Sequence, residues 1–162
     1  MAANVFKTIT SAVATRFATI ATSATYTPPG GSPQNYKTDA GSNVSTWRDL
    51  ERVPYTHDSD FPAINVMDQG AELDGGTTGV ALHHHRQGFE ISIAAGNIDT
   101  LRDLAGDIYA AVYDDETWSG TAYRTDWEGY NLGMVHAENK VFGGVVRFSI
   151  LIKTGRGNPE GA

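Results

Sequence analysis

Between Gly144 and Thr154, Val146, Phe148, Ile150 and Ile152 alternate with Val145, Arg147, Ser149, Leu151 and Lys153. A period of two places the first set on one face of a strand. The chain must therefore build a sheet, and something must cover the apolar face of that sheet. The best cover is the segment from Ile98 to Val112. There Ile98, Leu101, Leu104, Ala105, Ile108 and Val112 recur at helical spacing, with Asn97 placed to cap the first turn. On the other side Asp99, Asp103 and Asp107 stand four apart, with Arg102 partly offsetting them, and are expected to form a solvated face. Asp114, Asp115 and Glu116 end the helix.

A second helix is expected over 4–21, on a stripe of Val5, Ile9, Val13 and Phe17 widened by Phe6 and Ile20. Its Thr-rich composition lowers helix propensity, so burial of the stripe must compensate. Lys7 and Arg16 interrupt it, which argues against a signal peptide. Three further strands are expected. One is 61–67 (FPAINVM), with Pro62 at its start. One is 80–94, where Val80 and Leu82 alternate in one phase and Phe89, Ile91 and Ile93 in the other, with a bulge expected at Gly88. One is 121–130. The order helix, loop, two strands, helix, two strands gives an α+β domain. An antiparallel sheet of about four or more strands carries both helices on one face. One domain spans 1–162, with a flexible tail at 155–162.

The segment 22–60 is too long for an ordinary connection. Pro28, Pro29, Gly30, Gly31 and Pro33 lie in it, and it has little apolar content before Trp47, Arg48, Leu50 and Val53, which are expected to add a short strand or helical turn. Such a stretch buries itself poorly and reads as a long loop or arm that a partner orders. On that reading, deleting Pro28 to Ser42 leaves the monomer folded.

Chemistry has few handles. With no cysteine, disulfides and thiolate metal sites are excluded. His83 and His85 share one strand face and His84 takes the other. Two imidazoles begin a metal site, but nothing in sequence completes it, and His57 and His136 stand alone. A polar edge or subunit contact explains the run as well. Leu73 to Gly79 (LDGGTTG) has the small residues of a phosphate loop, yet the chain lacks the two large domains such loops serve, so a Gly-rich turn is the simpler reading. Trp118, Tyr123, Trp127 and Tyr130 cluster in one segment. With a net charge of −7, sheet core or a partner surface suits them better than base stacking, and neither nucleic-acid nor membrane binding is expected.

Taken in order, FPAINV, RQGFEISIAA, IDTLRDLAGDIYAAVYDDETWSG and VVRFSILIKT form a linked pattern of short strand, longer strand, helix with an acidic turn, and closing strand. Over 61–154 this pattern resembles the tail terminator, or tail completion, proteins of long-tailed bacteriophages. The resemblance implies a structural virion protein, not an enzyme, without cofactor or metal. It implies a homohexameric ring on the head-proximal end of the tail, assembled in the host cytoplasm. Its partners would be the tail tube protein and a head-completion or connector protein, with DNA passing an acidic lumen. The residues expected at contacts between subunits or rings are Tyr26, Pro28, Pro29, Tyr36, Trp47, His83, His85, Trp127 and Tyr130. Two alternatives remain: another neck or tail ring protein, and a small metal-dependent binding module or enzyme using His83 and His85.

Overall fold

A computed structural model describes residues 4–75, 82–136 and 141–159. The elements run α1 (Val5–Phe17), β1 (Thr25–Tyr26), β2 (Gln34–Asn35), β3 (Val44–Thr46), β4 (Ala63–Leu73), β5 (Leu82–Ala95), α2 (Ile98–Asp114), β6 (Ala122–His136) and β7 (Val141–Gly155). The five-stranded sheet has the order β3-β4-β5-β7-β6, and β1 and β2 form a small sheet of their own. The class is α+β, but the sheet is mixed, because β3 pairs parallel with β4 while every other neighbour is antiparallel. Residues 47–62 carry the chain back to start β4 alongside β3, as a parallel pair requires.

Alternation in β7 sets the core as expected. Val146, Phe148, Ile150 and Ile152 are fully buried, and so are Leu101, Leu104, Ile108 and Val112 of α2. Phe89 stacks on Phe148 at 5.2 Å, and Phe17 of α1 meets the same ring edge-on. Both helices therefore pack on one face of the sheet. Each buried side chain of this size contributes roughly 1.5–3 kcal/mol. Asn97 Oδ1 accepts the Thr100 amide at 2.8 Å, and Asn4 caps α1 through the Phe6 amide.

Several expectations need correction. Helix α1 stops at Phe17, although Ile20 beyond it is still buried. Strand β4 begins at Ala63 and continues past the expected end at Met67 to Leu73. Strand β5 keeps one register with β7 through Gly88. The irregularity lies across from it in β4, between Asp68 and Ala71, where Gly70 takes φ +78°. The apparent phase change in β5 has another cause. Gln87 occupies a core position, where its amide donates to Phe6 O and to Thr10 Oγ1, and Leu82 sits on the outer face. Val80 lies outside the described residues. Near the end of the described residues, the Pro159 carbonyl accepts the Val5 amide at 2.8 Å.

Segment 22–60 departs furthest from its expected form. Trp47 to Val53 form neither strand nor helix; the strand precedes them as β3. Tyr36, Thr38 and Ala40 are buried. Gly41 passes so close to the end of α1 that an added Cβ would lie 2.5 Å from Ala18 O. Asp107, expected on a solvated face, is buried beneath this segment and accepts hydrogen bonds from the amides of Lys37 and Thr38 and from Thr38 Oγ1, at 2.7–2.9 Å. A deletion of Pro28 to Ser42 would remove the buried residues Tyr36, Thr38 and Ala40, so it is now expected to unfold the monomer rather than leave it folded.

Candidate interaction surfaces

Helix α2 ends in an acidic turn that opposes its own dipole. Arg16 of α1 resolves this. Its Nη1 donates to the carbonyls of Ala111, Val112 and Asp115, and its guanidinium lies 3.6 Å from the centre of the Trp118 ring. Burial works against the Asp115 carboxylate, but donors from Thr117 and Ser119, with Arg16 beside it, hold it below the usual carboxylate range. Trp118 is core: it is buried, and its Nε1 donates to Thr125 Oγ1.

This anchoring fixes the outer turn of α2, where Tyr109 and Tyr113 stand four apart and pack at 5.1 Å. Tyr109 also meets Trp127 of β6 edge-on at 4.9 Å. The Tyr113 hydroxyl donates to Thr125 O and accepts the Trp127 amide. On the other side, Tyr26, Pro28 and Pro29 form a groove of about 340 Å³ with Tyr109 and Tyr113. Residues far apart in sequence thus make one aromatic band, running from the β1–β2 arm across α2 to β6. The expected contact residues Tyr26, Pro28, Pro29 and Trp127 all belong to it. Tyr109, half-exposed, was missed. Its signal was the four-residue spacing to Tyr113, beside the core positions Ile108 and Val112.

Other expected contact residues fall elsewhere. Tyr36 is a core residue, packed at a tilt against Tyr26 with ring centres 4.8 Å apart, and its hydroxyl pKa is pushed up to about 12 by burial and by the nearby charges of Asp114 and Asp107. Tyr130 is half-exposed on β6, and Trp47 is 58% exposed at the opposite edge of the sheet. His83 and His85 sit at the far end of β5 with ring centres 6.1 Å apart. His85 is bound to Thr154 Oγ1 at 3.0 Å and packs edge-on against Phe6. Burial, and the neighbouring His83 and His84, lower its pKa. Its partners make it a joint between sheet and α1. Among the described residues, no three His, Cys, Asp or Glu side chains are grouped to hold a metal.

The outer face of the sheet is polar at one end. There Arg86 bridges Asp74 at 3.1 Å and Asp126 at 2.6 Å and donates to Ser149 Oγ, tying four strand regions together. At the other end residues 50–61 stand off a floor of Ser92, Ala94, Gly143 and Val145, leaving a mainly apolar cleft of about 780 Å³. Tyr55, His57 and Asp58 are the titratable residues that line it. His57 is engaged in the turn that follows, where its carbonyl accepts the Asp60 amide and its own amide donates to Asp60 Oδ2. No helix among the described residues is long and apolar enough to cross a membrane. The chain matches no known family model and no curated protein sequence.

Proposed function

We propose that this protein is a structural subunit that assembles into a ring and caps the head-proximal end of a phage tail tube, ending its growth and presenting the surface for head joining. One observation carries the reading. The sheet ends in β6, a fifteen-residue edge strand, and the aromatic band described above runs up to it. Its stretch from Gly129 to Met134, which holds no charge and no proline, offers backbone donors and acceptors to another chain, and proteins that stay single usually guard such edges along their whole length. The acidic balance supports the same reading, since a negative lumen lets DNA pass without adhering. On this account the protein acts by assembly and contact in the virion neck, binds the tube protein on one face and a head-completion protein on the other, and performs no catalysis.

The test is functional. Purified protein is added to polymerising tail tube subunits, and tube lengths are measured by electron microscopy. Shorter tubes, each bearing a cap at one end, are expected. Unchanged lengths and bare ends at saturating protein would refute the capping role.

A further inference from the structure

We propose that, within the ring inferred above, copies join head to tail through the two margins of the sheet: the free edge of β6 pairs with the β3 edge of the next copy, and Trp47 of that copy lies against Tyr130. This rests on the ring reading, and it names the surfaces that meet.

The two margins are the opposite ends of the order β3-β4-β5-β7-β6. Each is guarded along part of its length and open along the rest. In β6, Arg124, Asp126 and Glu128 and the register shifts at 122/124 and 127/129 guard the first half. From Gly129 to Met134 the pairing with β7 is unbroken, and GYNLGM holds no proline and no charge. Sheet edges that must stay free carry such guards, and this stretch lacks them. At the other margin, β4 from Met67 to Leu73 is guarded by Asp68, Glu72 and the irregularity between Asp68 and Ala71. The rest of that margin is β3, Val44–Thr46, a three-residue strand without charge or proline.

Trp47 closes β3 in a left-handed conformation, φ 50°. For a large residue that backbone is strained, and the structure must hold it in place. Two bonds do so: its amide donates to Val66 O at 3.0 Å, and Nε1 donates to Asp68 Oδ1 at 2.8 Å. The indole is thereby fixed with most of its surface in water, and Leu50 and Val53, which follow it in the chain, are exposed as well. A rigid exposed Trp is the usual form of an interface anchor. Tyr130 offers a matching aromatic surface on β6. The occupant of the β6 edge must be an extended strand, because only a strand satisfies a row of backbone groups. A second copy supplies one at β3, and joining unlike margins is the geometry that closes rings. Pairing β6 with another β6 would leave Trp47, Leu50 and Val53 uncovered.

The absence of native cysteine makes the test direct. Thr46→Cys and Asn131→Cys place single thiols on the two margins, at exposed positions. Each variant alone, and an exchanged equal mixture, is treated with a short thiol-reactive cross-linker. Covalent dimer is expected in the mixture and not in either variant alone. It should be lost when the Asn131→Cys chain also carries Gly133→Lys, where an added side chain meets open space and so leaves the fold intact; unchanged thermal unfolding checks this. Cross-linking of Asn131→Cys alone would mean two-fold β6 pairing and overturn the proposal. Rings seen by electron microscopy without any mixed cross-link would overturn the edge pairing and leave the ring reading standing. An unmodified chain that never assembles would overturn both.

Discussion

Residues 27–33 and residues 36–40 sit a few positions apart in one polar segment, yet they behave oppositely. The first stretch, TPPGGSP, lies on the surface with only Pro28 half-buried, and its backbone bends over itself through the bond from the Gly31 amide to Pro28 O. The second, YKTDA, passes through the core with Tyr36, Thr38 and Ala40 inward. The difference lies in what each stretch can satisfy. Prolines and glycines in the first offer few side chains to bury. In the second, inward residues alternate with Lys37 and Asp39, and the buried carboxylate of Asp107 takes up the amides that strand pairing leaves unbonded. A long loop is thus a core element at its base and a presented surface at its tip.

Cutting across that boundary should have the largest effect. Deleting Pro28 to Ser42 removes three buried residues and strands Asp107. The cost approaches the whole stability of a domain, about 5–15 kcal/mol. Circular dichroism and thermal unfolding should show no cooperative transition, and a folded, stable variant would erase the distinction between base and tip.

Asp107→Ala should come next. It leaves the Lys37 and Thr38 amides and the Thr38 hydroxyl without their acceptor, which costs about 2–3 kcal/mol by chemical denaturation. The sign of the pH effect is a sharper check. Burial, opposed by those donors, raises the Asp107 pKa above the ordinary aspartate value of 3.8. The folded state therefore holds this proton more tightly than the unfolded state does. Stability contributed by the protonated acid is fully present below pH 3.8 and declines as pH rises toward the raised value. The difference in stability between the wild type and Asp107→Asn should therefore shift against the wild type as pH rises through that window. A shift in the opposite direction would show that its hydrogen bonds outweigh its burial.

Smallest should be the tip. Pro28→Ala with Pro29→Ala should change stability by no more than about 0.5 kcal/mol, since neither residue belongs to the core. A larger loss in thermal unfolding would place the tip in the core as well.

How much the sequence revealed follows the same division. β7, α2 and the cap at Asn97 were legible because period-two and helical patterns were strong and local. Gly88 misled because the extra residue lies in β4, its partner strand, and pairing partners leave no local trace. Asp107 misled because four-residue spacing with Asp99 and Asp103 looks the same whether solvent or another segment lies opposite. In YKTDA the alternation was present, but it was short and lay in a polar setting, where burial depends on a partner seventy residues away. The aromatic band was half visible: Trp127 and Tyr26 stood out, while the part of Tyr109 in joining them depended on the packing of α2 between arm and sheet.

The most direct test of the account is the assembly state of the full chain. Negative-stain images and light scattering on purified protein at micromolar concentration should show six-fold rings with a central pore and a mass six times that of the chain. A particle that keeps the mass of one chain across the whole concentration range would contradict it.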